Sequence, residues 1–479
     1  MLRRMNGLLG LALLVTCGGA AAAQQTNDTK PAQIPDPPGG QTPPVAPRTV
    51  DTPVPPRVTI PTAPANADVV NRPLTADEAV RIALRKQPDV AVARAGISAA
   101  QGRTEQARAD LLPSLGVSAG YNKVTVISGG GSGGSGGSTG GGEGFNGQAA
   151  VRQLIFDFNH TRDLVRQASA FTRAAEQNLT KVQTDLVSQV KQAYYQVVQN
   201  DRLVTVNQES LENRRSQRDL ARARLNSGLG LPSDLATAET AYSAGVLTLT
   251  LAQNGAAIAR TNLAVLMGID ARTPINTVEG GEPPFPSDDV NALVDQALKQ
   301  RPDVLQAQAN VEANRHGVAA AKTTNAPVIA GTLALNSRGD SFLPGDSGLT
   351  IGANVTFTPF DGGFTQGRVK EARANLETAE AQLLSARQAV TSDVAQAWLN
   401  LRTAEQRVAT ANLEVTNANE AVRIATGRYS RGLGLFQDII TAQALSVTAR
   451  TDLVNAQAQV DISRAALRRA IGTPPPVVR

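Results

Sequence analysis

The sequence predicts a mainly helical, internally duplicated protein with four β-strands, too few to close a barrel until further copies of the chain add their own. Three observations predict it. Short motifs recur in order: Pro88-Asp89-Val90 as Pro302-Asp303-Val304, Leu112-Pro113 as Ala326-Pro327, Phe156-Asp157 as Phe360-Asp361, Gly228-Leu229-Gly230 as Gly432-Leu433-Gly434, and Gly268 as Gly472. The first two pairs lie 214 positions apart and the last three 204, so one loop is shorter in the second half. That period is too long for a solenoid repeat and indicates a duplicated domain. Second, the tracts from Phe158 to Asn226 and from Asp361 to Gly472 contain no proline, and the second carries heptad patterning. Third, between the helical tracts of each half, apolar residues alternate with small polar ones.

Residues 1–23 read as an export signal: Arg3 and Arg4, an apolar run from Leu8 to Val15, and small residues from Gly18 to Ala23. Cleavage after Ala23 is one reading, and lipidation of Cys17, the single cysteine, is the other. Residues 24–73 are rich in Pro, Thr, Ala and Gly, a composition that cannot bury enough apolar surface to fold, and form an extended leader. Residues 74–268 are the first repeat, 269–288 a connector, 289–472 the second repeat and 473–479 a tail.

Each repeat opens on a small amphipathic helix, Thr75 to Lys86 and Val290 to Lys299. A longer one follows, Pro88 to Ala109 and Pro302 to Ala321, with proline in the first turn, where no amide bond is lost. Strands come next: Leu115, Val117, Ala119 and Tyr121 alternate with Ser114, Gly116, Ser118 and Gly120, and Leu349, Ile351, Ala353, Val355 and Phe357 with Thr350, Gly352, Asn354, Thr356 and Thr358. Gln148 to Phe156 and Val328 to Asn336 are their expected partners. This rhythm matches membrane β-strands with lipid on one face, and unpaired edges in lipid would be costly, so sister chains must complete the sheet.

The long helices follow. In the second, Val369, Leu376, Leu383, Val390, Ala397, Ala404, Ala411, Ala418 and Ala425 fall seven apart. Their partners are first Ala372, Ala379 and Ala386, and after Val390 shift to Val394, Leu401, Val408, Val415, Val422 and Tyr429, a stutter in the coiled coil. Return helices from Asp234 to Leu266 and Asp438 to Ala470 are expected to stack end to end with the shorter helices, together nearly matching a long one. Ser233 or Asp234 is expected to cap the first return helix, and Leu229, Leu231, Leu433, Leu435 and Phe436 to stand exposed at the turn.

Several classes are disfavoured. The net charge is +5, but the arginines are scattered among acidic and amide residues rather than clustered with aromatics, which argues against nucleic acid. The glycine-rich run from Gly129 to Gly144 lacks the lysine of a phosphate loop and reads as a surface loop. His160 and His316 have no companion ligand at metal spacing and read as solvated helix residues. No nucleophile elbow or dinucleotide fingerprint occurs, so neither an enzyme nor a cofactor is expected.

At the Leu/Ala-Pro strand openings, the Phe-Asp pairs and the Tyr429-x-x-Gly432-x-x-x-x-x-Asp438 turn with its Gly228-Leu229 counterpart, the chain resembles the TolC-like family of bacterial outer-membrane efflux channels. The resemblance runs from about Leu74 to Gly472. It implies a homotrimer with a twelve-stranded outer-membrane barrel on a long periplasmic helical tunnel. It also implies a passive exit duct for tripartite efflux or type I secretion, gated at its periplasmic tips. A periplasmic adaptor and an inner-membrane transporter would be its partners. Carried over, Asp234, Tyr429 and Asp438 would form the pore constriction, and Gly228, Leu229, Gly432 and Leu433 the adaptor-docking tips. Gly434 stands where some members have a bridging arginine, and Thr441 where a second acidic ring can occur. Tyr121, Phe145, Phe342 and Phe357 are the candidates for an aromatic girdle. The other reading of the chain is a periplasmic coiled-coil scaffold or adaptor that never enters the membrane, which would have no need of alternating strands.

Overall fold

The computed structural model describes residues 73–123, 143–285, 289–339 and 346–474. The expected signal peptide with Cys17, the leader through residue 72, the glycine-rich run through residue 142, Phe342 and residues 475–479 lie outside the described residues. In the first half the order is α1 (Ala76–Lys86), α2 (Pro88–Ala109), β1 (Ser114–Lys123), β2 (Glu143–Phe156), α3 (His160–Asn226) and α4 (Pro232–Leu266). The second half repeats it with α5 (Val290–Gln300), α6 (Pro302–Lys322), β3 (Val328–Gly339), β4 (Asp346–Thr356), α7 (Phe364–Ser430) and α8 (Phe436–Ile471). No described helix is long and apolar enough to cross a membrane.

Local chemistry accounts for the boundaries. Thr75 and Glu78 form a reciprocal capping box at α1, with bonds of 3.3 and 3.2 Å. Pro88 and Pro302 each occupy the first turn of their helix. The duplicated Phe-Asp has the same task twice. Asp157 Oδ2 accepts the Thr161 amide at 2.7 Å, and Asp361 Oδ2 accepts that of Thr365 at 2.8 Å, so each aspartate satisfies an open N–H at the start of a long helix. The Thr365 bonds hold the Asp361 carboxyl below the usual carboxylate range.

Helices α3 and α7 have 67 residues each, on the order of 100 Å at 1.5 Å per residue. Along α7 the heptad reading is visible in the burial pattern. Between Val369 and Val390 the residues withdrawn from solvent are Val369, Ala372, Leu376, Ala379, Leu383, Ala386 and Val390, and all others are exposed. Ala386, Val390 and Val394 then follow at two successive four-residue steps, which is the stutter. Buried Leu401, Ala404, Ala411 and Tyr429 continue the seam.

End-to-end stacking of the helices is visible at two glycines. A Cβ on Gly268 would lie 2.8 Å from the Lys86 carbonyl oxygen, and one on Gly472 3.1 Å from Arg301 Cα. The end of α4 thus abuts the start of α2, and the end of α8 that of α6. Around the first joint Leu74, Val80, Val190, Tyr194, Val197, Leu263 and Met267 are buried together. Around the second, Leu293, Val304, Val390, Val394 and Leu467 pack alike. Residues of the connector close the first joint: Leu74 and Thr277 form a β-bridge, and Tyr194 Oη donates toward the Leu74 and Val278 carbonyls at 2.9 and 2.6 Å.

The strands form one antiparallel sheet in the order β1-β2-β3-β4. Its register sorts the side chains into two faces. One carries the rows Leu115-Val151-Leu333-Ile351 and Val117-Ala149-Leu335-Leu349, and the other Gly116-Ala150-Ala334-Thr350 and Ser118-Gln148-Asn336-Gly348. Leu115, Val117, Leu349 and Ile351 are exposed, so the apolar face covers no core. Tyr121 and Phe145 pair across the same face with ring centroids 5.0 Å apart. β1 and β4 each pair on one side only within the chain. β2 starts at Glu143 and β3 ends at Gly339, both beyond the expected Gln148 and Asn336. Gly144, Asn146 and Gly147 are weak strand formers that alternation cannot reveal; pairing with β1 and β3 makes them strand.

Candidate functional site at the hairpin tips

Both long helices end in the same turn. The Gly228 amide donates to the Leu225 carbonyl at 3.0 Å and the Leu229 amide to that of Arg224 at 2.9 Å; Gly432 and Leu433 repeat this with Tyr429 and Arg428 at 3.0 and 2.9 Å. These are Schellman motifs. Gly228 and Gly432 both have φ of +73°, which a side chain disfavours by about 1–2 kcal/mol. The residue after such a glycine commonly packs back on its own helix. Here Leu229 and Leu433 are 82% and 77% exposed, and Leu231 and Leu435 are exposed too. The turn does not use its leucines.

Phe436 departs from expectation. It is 3% exposed, with its ring 5.4 Å from that of Tyr429, in a cluster with Ala221, Ala238 and Ile439. This cluster joins the first hairpin to the second. A benzyl group at the first position of α8 faces Tyr429 one turn before the tip, and burying it there removes more apolar surface than display would.

Neither Ser233 nor Asp234 caps α4, whose start has no side-chain cap. Instead Asp234 Oδ2 accepts the Tyr429 hydroxyl at 3.1 Å. The Arg224 guanidinium lies 4.4 Å from the centre of the Tyr429 ring and donates to the Tyr429 and Ser430 carbonyls at 3.5 and 3.4 Å. Burial pushes the Tyr429 phenol up from its ordinary value; the Arg224 contact lowers it and the neighbouring Asp234 raises it. Asp234 and Tyr429 thus meet, while Asp438 makes no bond to either. Its carboxylate folds back to accept the Leu435 amide at 3.2 Å, capping its own helix.

The duplication explains this split. Asp438 is the repeat equivalent of Asp234, but the position equivalent to Tyr429 holds Leu225, which has no hydroxyl to offer. One aspartate links hairpins and the other caps. Arg224 was not singled out by sequence. Its signal was available, since Arg428 stands at the same place in the second repeat, one residue before Tyr429.

The histidines are not simply solvated. His160 Nδ1 is 2.9 Å from the Ala320 carbonyl oxygen, and His316 Nδ1 is 3.6 Å from Asp163 Oδ1, both bridging α3 and α6. Among the described residues no group of three or more His, Cys, Asp or Glu is placed to hold a metal ion.

An antiparallel sheet whose exposed face carries two adjacent rows of apolar side chains, continued by paired helical hairpins of about 100 Å, fits the barrel-and-tunnel class of outer-membrane channels. The chain belongs to the outer membrane efflux protein family, whose model matches residues 79–269 and 293–473, one segment in each repeat. Among curated relatives it is 27% identical to protein CyaE of Bordetella pertussis over 404 residues, 82% of this chain and 83% of that one. It is 25% identical to the outer membrane protein TolC of Escherichia coli K12 over 405 residues, 81% and 80% of the two chains. Among solved structures it resembles CusC with a TM-score of 0.75 and 16% identity, over 86% of this chain and 95% of that one. VceC of Vibrio cholerae gives 0.72 and 22%, over 83% and 96%. The protein is an efflux channel of the outer membrane that extends into the periplasm, of the kind that serves tripartite efflux and type I secretion. Its family is one of channel proteins.

Proposed function

We propose that three copies of the chain close a twelve-stranded barrel and a helical tunnel, and that the tunnel is a passive duct gated at the tips. Two open sheet edges per chain support the closure, because each unpaired backbone group in lipid costs several kcal/mol. The observation that carries the gate is the Tyr429–Asp234 hydrogen bond, which ties the second hairpin to the first beside the turns. Breaking it frees one hairpin to swing from the other. Arg224 reinforces the link in place of the bridging arginine that Gly434 replaces. Asp234 and Asp438, repeated around the axis, line the constriction with carboxylates and favour cations there. A periplasmic adaptor docks on the apolar tips at Gly228-Leu229 and Gly432-Leu433, and an inner-membrane transporter supplies the energy.

Tyr429→Phe removes only the hydroxyl. It should raise the open fraction of channels in planar bilayers while leaving the fully open conductance unchanged. An open fraction equal to that of the wild type would refute the latch.

A further inference from the structure

On the polar face of the sheet, the row Ser114-Arg152-Thr332-Gly352 places one cation among uncharged groups. The next two rows hold only Gly, Ala, Ser, Thr, Asn and Gln. At the far end Arg338 stands opposite Asp346 in register. Arg152 has no such counterpart. It is exposed, and its guanidinium has no hydrogen-bond or ion-pair partner among the described residues; beyond the sheet ladder only its carbonyl takes part, accepting from Ser114 Oγ at 3.4 Å. An arginine without a partner, at a strand position that faces away from lipid, leaves five donors directed at the lumen.

Ser114 directly follows Pro113, and Asp157 begins the turn into α3, so this row lies where the helical tunnel opens into the barrel. Twelve strands about 4.8 Å apart and tilted about 40° make a ring roughly 24 Å across at the backbone. Inward-reaching side chains bring three guanidiniums to about one Debye length of each other, roughly 10 Å at 0.1 M salt. Walls that are otherwise neutral let those charges set the local potential.

We propose that Arg152 from three chains forms a ring that binds multivalent oxyanions of phosphate type at the tunnel-side mouth of the barrel. The proposal rests on the trimeric-channel reading above. Planar guanidinium forks match such oxyanions, and the site opposes in sign the carboxylates at the tips. A duct with cation-favouring tips and an anion-binding mouth is the result.

Tripolyphosphate is the probe, added from the barrel side of wild-type channels in a planar bilayer. It should lower the current, with block weakening steeply as KCl is raised. Arg152→Gln should conduct normally and need at least about tenfold more tripolyphosphate for equal block, the loss expected for one charge-assisted bond. Equal block in Arg152→Gln, or wild-type channels that conduct without any block, would overturn the ring. Absence of any wild-type conductance would instead overturn the channel reading beneath it.

Discussion

Glu282 offers the sharpest test of how the two repeats are held together. Its side chain is 1% exposed. Lys191 Nζ on α3 lies 2.8 Å from Oε1, Arg468 Nη1 on α8 lies 3.0 Å from the same oxygen, and the Tyr195 hydroxyl donates to Oε2 at 2.7 Å. Its amide donates to Asp461 Oδ1 at 2.9 Å, and its carbonyl accepts from Arg464 at 3.1 Å. One connector residue therefore ties the long helix of the first repeat to the return helix of the second. Glu282→Gln keeps the volume and removes the charge. Arg468 loses this carboxylate, and Lys191 keeps only the exposed Asp77, at 3.4 Å. Breaking a buried ion pair from one side costs about 3–5 kcal/mol, because the remaining charges stay desolvated. For a protein of this size that lowers the melting midpoint by roughly 4–6 °C. The assay is thermal melting of the detergent-purified protein followed by circular dichroism at neutral pH. Glu282→Gln/Lys191→Met should melt above the sum of the two single effects, since each change removes what the other leaves unpaired. A Glu282→Gln midpoint equal to the wild type, or strict additivity in the double variant, would show that Glu282 does not hold the repeats together.

Other outcomes follow from the same structure. Gly432→Ala meets no atom within 4 Å, so only its φ of +73° is strained; it should cost about 1–2 kcal/mol and speed amide exchange of Gly432 and Leu433. Burial raises the Tyr194 phenol from 10.0 to about 12. A native value above the unfolded one means its share of stability is complete below pH 10 and lost as pH rises through about 12. Tyr194→Phe should flatten the fall in melting midpoint over that window. Leu433→Glu, at an exposed site, should abolish export in cells while leaving channel abundance in the outer membrane unchanged; unchanged export would remove the docking surface.

What the sequence showed depended on whether a signal was local or periodic. The α7 seam repeats at three- and four-residue steps, so its stutter at Ala386, Val390 and Val394 is legible in the sequence alone. Pro88, Pro302 and the strand alternation are equally local. Contacts between the repeats have no period. Phe436 looked like part of an apolar display because its ring partner Tyr429 lies across the turn, and Asp234 looked like a cap because its true partner is 195 residues away. Glu282 sits in an irregular connector whose sequence carries no pattern, and only the fold shows that Lys191, Tyr195 and Arg468 converge on it. Duplication itself held one unread clue: Leu225 at the place of Tyr429 marks where the two tips must differ.

Each chain supplies four strands and two hairpins of a wall that, on the proposed reading, only sister chains complete. Native mass spectrometry of the complex extracted from outer membranes is the decisive experiment. A mass of three mature chains is the result expected. A stable, monomeric, water-soluble species recovered from the periplasm would contradict it.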